Sequence, residues 1–270
     1  MNRDNNATIS NRIKKVDRLP PIIKNIKRKG SIAYFINWRG VFGLYAVLSV
    51  ISTVLLFTLG KHIPSKKNPD SKFIAPYFKL LGHKQSALTY LTVLLEGILI
   101  VGSFSYLGGF IEKMYHFNYL LIGFIMTAFG VMAVIGGRMS GKLAHKMGRK
   151  KVLMAGLLSA VLADGIFSIL GSNLPVLIIG VGLLGLGFML AHSTLLTIAT
   201  EFAEKARGAA MSLVAFCFMG GGGIGTAIGS RIIKANSFEY FFGLYGMLLI
   251  VLLFFVALFL RAQAHHYKAM

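Results

Sequence analysis

After Trp38 the chain passes through seven blocks of apolar residues, at 39–60, 85–109, 117–137, 151–170, 175–198, 208–230 and 240–261. Each is close to the ~20 residues that a helix needs to cross the hydrocarbon of a bilayer. A chain with this pattern has few ways to fold, because in lipid its backbone polar groups must be satisfied within the spanning element. The blocks therefore read as seven spanning helices of an all-α membrane protein. Gly60, Pro64, Gly171 and Pro175 lie at block ends, where helices stop. Hydrophobic residues make up 55% of the 270 and only 14% are charged. One soluble core could not hide that much apolar surface.

The formal charge of +20 would suit nucleic acid if it were spread over one polar surface. Instead the basic residues sit in a tail and in short segments between apolar blocks, so the charge reads as topology and no nucleic-acid partner is expected. The connection 61–84 carries six, and the stretch 138–151 six more: Arg138, Lys142, Lys146, Arg149, Lys150 and Lys151. Lys205, Arg207, Arg261 and Lys268 fall on the same side of the bilayer, while the opposite side has only Lys113, Arg231 and Lys234. The positive side is expected to be cytoplasmic, including the tail 263–270, in a multi-pass protein of the plasma membrane.

Residues 1–38 form a basic, polar tail with Pro20-Pro21 at its middle and no signal-peptide pattern. Ile9, Ile13 and Val16 share one helical face, which suits either a short helix on an anionic surface or a disordered tail. Seven spans would place this tail outside, although with Arg39 it carries ten basic residues. Either the first block does not cross, or helices once preceded it.

The segment Gly141-Lys-Leu-Ala-His-Lys-Met-Gly148-Arg149-Lys150-Lys151 joins two blocks. Glycines there allow a tight turn, and basic side chains can bond helix C-terminal carbonyls. It resembles the signature loop of the major facilitator superfamily, with His145 where the family usually has Asp. Asn37-Trp38-Arg39-Gly40-Val41-Phe42 is similar to the family's entry to its sixth helix. Ala191-His192-Ser193-Thr194-Leu195-Leu196-Thr197, followed by Ala199-Thr200-Glu201, resembles the tenth helix of bacterial efflux-type members, and Ala206-Arg207-Gly208 the turn before the eleventh. In that register 39–60 is a sixth-like helix, 61–84 a basic cytoplasmic loop, and 85–262 the six-helix C-terminal half-bundle. The first five helices are then missing, which accounts for the misplaced tail. His145 in place of Asp puts the family's charge-relay lock in doubt.

Glu96 lies about 15 Å into its block by helical rise, at a depth where an ionised carboxylate is unfavourable and marks function by default. Thr89, Thr92, Glu96 and Ser103 fall on one face at 100° per residue. Two readings stand, a substrate or proton site and a carboxyl hydrogen-bonded to a neighbouring helix. His192 can relay a proton or bond substrate, or be satisfied by its neighbours. Ser193, Thr197 and Thr200 share an adjacent face. Asp164, seven residues before Gly171, reads either as functional or as a helix end reached by water. Glu112 reads as interfacial. Glu201 and Glu204 are expected to pair with Lys205 or Arg207. The glycine run 220–229 lacks the Lys-Ser/Thr of a phosphate loop, so Gly221, Gly225 and Gly229 read as a close-packing stripe.

No nucleophile–base order, nucleotide fingerprint or metal-ligand spacing appears, and Cys217 is the lone cysteine. Neither enzyme activity nor a cofactor is expected. The resemblance implies a proton-coupled exporter of drugs or sugars working by alternating access. The candidate site is Glu96, His192, Asp164, Thr92, Ser103 and Thr197. The expected partners are membrane lipids, a small-molecule substrate and protons, with a second copy or a separate N-terminal half completing the cavity. The rival expectation is a non-transporting half-bundle that serves as an interaction or complementing subunit.

Overall fold

The computed structural model describes residues 31–60, 74–203 and 206–260, with side chains from Phe42 onward. The tail face of Ile9, Ile13 and Val16, the lysines of 61–73, Glu204, Lys205 and the C-terminal tail all lie outside the described residues. So do the side chains of Trp38 and Arg39.

Every regular element among the described residues is helical. In order these are α1 (Ser31–Leu59), α2 (Ala75–Gly82) and α3 (Lys84–Glu96), a π-helical turn Gly97–Val101 leading into α4 (Gly102–Tyr115), then α5 (Tyr119–Met147), α6 (Arg149–Ile169), α7 (Leu174–Glu201), α8 (Arg207–Ala235) and α9 (Phe238–Phe259). Seven stretches are long and apolar enough to cross a membrane, with Lys84–Tyr115 counting as one. The chain is an all-α membrane protein with seven candidate spans.

Two compact units divide the chain, residues up to 69 with 116–123, and the remainder. In the first, α1 begins at Ser31, well before the expected block, because no Gly or Pro interrupts 31–38 and a helix can continue past the hydrocarbon edge. From Phe42 to Leu59 its side chains are exposed on every face. Its hydroxyls bond their own backbone, Ser49 Oγ donating to Tyr45 O and Ser52 Oγ to Leu48 O, each at 2.8 Å. In the short stretch 116–123, His116 takes a left-handed conformation (φ 53°) and Asn118 Oδ1 accepts the Leu121 N–H at 2.9 Å, capping the start of α5.

In the second unit α6 packs against both α7 and α9, and α8 runs along α3, the π turn and α4. The core is apolar and aromatic, with Val152, Leu153, Leu157 and Phe167 of α6, Leu177 and Leu184 of α7, and Phe242 and Leu249 of α9 all buried. Small residues set the spacing, as is usual where lipid supplies no hydrophobic drive between helices. A Cβ on Gly156 would come within 2.6 Å of Ala191 N, so α6 and α7 touch backbone to backbone. The stripe expected on α8 is present. Gly221 and Gly225 lie against the carbonyls of Leu94 and Ile98, and Gly229 against the rings of Tyr106 and Phe241. Hydroxyls tie helices together, Ser159 Oγ donating to Leu183 O (2.8 Å), Ser168 Oγ to Glu239 O (2.9 Å) and Tyr245 Oη to Gly225 O (2.8 Å).

Two expectations are corrected. The connection 61–84 is not loop throughout, because Ala75–Gly82 forms α2 with a proline in its first turn, where a missing N–H does no harm. The tight turn expected of the signature segment is confined to one residue. Gly141 and His145 are helical and belong to α5, and Gly148 (φ 86°) alone separates α5 from α6. Nothing between Gly141 and Met147 breaks a helix, whereas only glycine adopts Gly148's backbone without strain.

Candidate functional site

The Lys84–Tyr115 span starts as a regular α-helix, and Glu96 is its last α-helical residue before the π turn. A π turn holds one extra residue and often marks a functional position. On an uninterrupted α-helix Glu96 and Ser103 would share a face, as the sequence periodicity predicts. The extra residue rotates the remainder of the span, so the two side chains meet different neighbours. Glu96 meets α7 and Ser103 meets α6.

Glu96 is fully enclosed by protein. Its Oε2 lies 3.2 Å from His192 Nδ1, a hydrogen bond whose donor depends on the imidazole tautomer, and its Oε1 has no partner. The imidazole is about one-fifth exposed (21%), so one group of the pair reaches the surface while the other does not. The hydrogen bond to a neighbouring helix that one reading expects of each residue is met here by the other.

Ser103 and Asp164 form a second enclosed pair, with Ser103 Oγ donating to Asp164 Oδ2 at 2.9 Å and Asp164 Oδ1 unbonded. This corrects the reading of Asp164 as a helix end reached by water. Asp164 itself is fully enclosed, its Cβ packed where Gly246 of α9 leaves room. Thr92 is buried, but its hydroxyl donates within its own helix to Leu88 O (2.7 Å). Thr197 is exposed and donates to Ser193 O (2.8 Å). Neither is brought to the Glu96–His192 pair.

At the basic end the structure makes a pairing that the sequence does not suggest. Arg149, just after Gly148, forms an ion pair with Glu201 at the end of α7. Lys150 Nζ donates to Ala257 O near the end of α9 at 2.7 Å, as expected of a cation at a helix C-terminus. Proximity in sequence points Glu201 to Lys205 or Arg207; Lys205 lies outside the described residues, and the pair seen is with Arg149 of a different span, because α6 and α7 lie side by side. His145 is exposed on the last turn of α5.

The aromatic residues around the pair are likewise unforeseen. Phe188, one turn before His192 on α7, stacks with it at 5.4 Å between centroids, and Phe218 of α8 lies 4.3 Å from the same imidazole. Phenylalanine is common in lipid-facing positions, so nothing in sequence separates these rings from the rest. Among the described residues no three His, Cys, Asp or Glu side chains converge as metal ligands would.

Comparison with known proteins places this geometry in context. The family model described as Major Facilitator Superfamily matches residues 30–163 and, in a second match, 104–269. A probable sugar efflux transporter of Helicobacter pylori (strain J99) is 25% identical over 210 residues, covering 77% of this chain and 52% of that protein. An uncharacterized MFS-type transporter of Bacillus subtilis is 25% identical over 239 residues, covering 86% of this chain and 56% of its own length. The arabinose-proton symporter of Bacillus subtilis is 36% identical over 107 residues, 39% of this chain and 23% of the symporter. The chain spans about half the length of the first two.

Proposed function

The chain belongs to the major facilitator superfamily, and from that premise we propose that it acts in proton-coupled export of small molecules by alternating access. The Glu96–His192 pair is its proton-carrying site. The observation that carries this reading is one enclosed carboxylate, far from either end of a 32-residue span, hydrogen-bonded to one partly exposed imidazole on another helix. Charged groups at such depth are unfavourable and mark ion or substrate pathways. Histidine can take up and release a proton near neutral pH. Transfer between Nδ1 and Oε2 moves a proton between a partly exposed group and an enclosed one. Family membership, and the names of relatives that export or co-transport sugars, support the transport class. The basic residues support a plasma-membrane protein with its C-terminus on the cytoplasmic side.

The test is flux of a panel of dyes and sugars in vesicles containing the purified chain, with and without an imposed pH gradient. Gradient-driven flux that Glu96→Gln abolishes is the expected result. Flux that persists in Glu96→Gln sinks the assignment of the site.

A second reading, a half-bundle that works as a complementing subunit, is favoured by α1, whose apolar side chains are exposed on every face from Phe42 to Leu59. On that reading well-inserted chain gives no flux alone, and crosslinks through α1 to a second copy or to a separate membrane-embedded half.

A further inference from the structure

Arg138 is a cation inside α5 with nothing to pair it. It follows Gly137 and precedes the signature segment, and its side chain is exposed. The apolar run 119–137 ahead of it is roughly 28 Å long by helical rise, close to the ~30 Å hydrocarbon thickness. Arg138 therefore stands at the boundary where lipid phosphates lie. Lys142, His145 and Lys146 follow at spacings that place them on the same helical face, and all three are exposed.

No carboxylate of the protein offsets this face among the described residues. Neither Asp nor Glu occurs between Glu112 and Asp164. Glu201, at the same end of the spans, is engaged by Arg149. Glu96 and Asp164 are enclosed, and Glu112 and Glu239 lie at the opposite ends of their helices. Toward the hydrocarbon the face continues as Val131, Val134 and Ile135, all exposed. A groove of about 430 Å³ lined by Met139, Lys142, Leu143, His145 and Lys146 runs beside the cations. One face thus changes from apolar to basic over about a turn, the order in which a phospholipid presents its chains and its phosphate.

Charge decides the occupant. The segments 1–30, 61–73 and 261–270 are each net basic by sequence, so they do not complement this face. A second copy presenting the same face would meet like charge. An acidic soluble protein would reach the lysines but not Val131 and Val134, which lie within the bilayer thickness. A lipid phosphate meets every requirement. The planar fork of Arg138 suits two phosphate oxygens, the lysines add attraction to negative headgroups, and the acyl chains lie along the valines.

We propose that Arg138, Lys142 and Lys146, with the exposed stripe Val131, Val134 and Ile135, form a binding site for an anionic phospholipid. The site is separate from the Glu96–His192 pair and does not depend on what that pair carries.

Tryptophan quenching by brominated lipids tests it. Trp38 is the lone tryptophan, so the reporter is Val131→Trp in a Trp38→Phe background, about 10 Å from Arg138 along the helix. The full chain is reconstituted in phosphatidylcholine vesicles containing either brominated phosphatidylglycerol or brominated phosphatidylcholine. The reporter should favour phosphatidylglycerol by about 5-fold or more, and each of Arg138→Gln, Lys142→Gln and Lys146→Gln should reduce that preference about 3-fold. A control reporter at exposed Val251 of α9, as Val251→Trp, should show a preference within about 2-fold of unity. Excess inorganic phosphate should leave the preference intact. Equal quenching by the two lipids, the same preference at Val251, or a preference that the three substitutions do not change overturns the proposal. Loss of preference in inorganic phosphate also overturns it, by making the free ion the ligand. If the triple variant does not insert, Lys142→Gln alone decides, and an unchanged preference there refutes the site.

Discussion

At the residue scale, the enclosed carboxylates differ in what holds them. Glu96 has a titratable partner that reaches the surface, whereas Asp164 has a hydroxyl that does not. Removing a partner leaves a buried acceptor unbonded, the expensive half of the hydrogen-bond asymmetry. Ser103→Ala is therefore expected to lower stability in detergent by about 0.5–2 kcal/mol. Ser52→Ala, whose exposed hydroxyl bonds its own helix at Leu48 O, should stay within about 0.5 kcal/mol. Unfolding in denaturing detergent, read by circular dichroism, distinguishes them, and equal effects would mean that Asp164 does not depend on Ser103. For Glu96→Gln, His192→Ala and the double variant, the same measurement should give a coupling of about 1–2 kcal/mol. Additive effects would mean that the two side chains do not interact.

At the element scale, α8 carries two classes of glycine on opposite faces. Gly225 lies against Ile98 O with no room for a methyl group, while Gly223 has open space around it. Gly225→Ala should push α8 off the π turn and cost about 1–3 kcal/mol. Gly223→Ala should be neutral or stabilise by a few tenths up to about 1 kcal/mol through helix propensity. Thermal denaturation of the two variants tests whether the stripe is a packing surface, and equal shifts would refute it. The Arg149–Glu201 pair is partly exposed (22% and 15%), so its coupling should be modest, about 0.5–1 kcal/mol. The double swap Arg149→Glu with Glu201→Arg should recover most of the stability that either single change loses.

At the scale of the whole molecule, orientation is the open quantity that a simple experiment fixes. In a Cys217→Ser background, a cysteine at exposed Asn236 should react with an impermeant maleimide in intact cells, and one at exposed Lys142 only after lysis. The opposite pattern would invert the chain. The spans are legible in sequence because each is a long apolar run whose solvent is lipid. Their ends are less so, since Ser31–Trp38 and Gly141–Met147 remain helical past the apolar stretch and nothing in their composition stops them. Glu96 is legible as a carboxyl at unfavourable depth, and His192, Asp164 and Ser103 as polar residues within apolar blocks. Which of them meet is not, because the π turn after Glu96 rotates Ser103 toward α6, and a turn of that kind leaves no periodicity to read. The Arg149–Glu201 pair is hidden for a related reason, since adjacency along the chain says nothing about which helix lies alongside.

The single residue between α5 and α6 has a mechanical consequence. Consecutive Cα atoms are only about 3.8 Å apart, so at Gly148 the two helices can neither slide past one another nor drift apart. Arg149 and Lys150 clamp that same corner to the ends of α7 and α9. Any parting of α5 from α6 must therefore grow with distance from Gly148, as a door swings widest at the edge farthest from its post. A ligand that works its way between these two helices would enter from the end remote from Gly148 and be stopped at the basic corner.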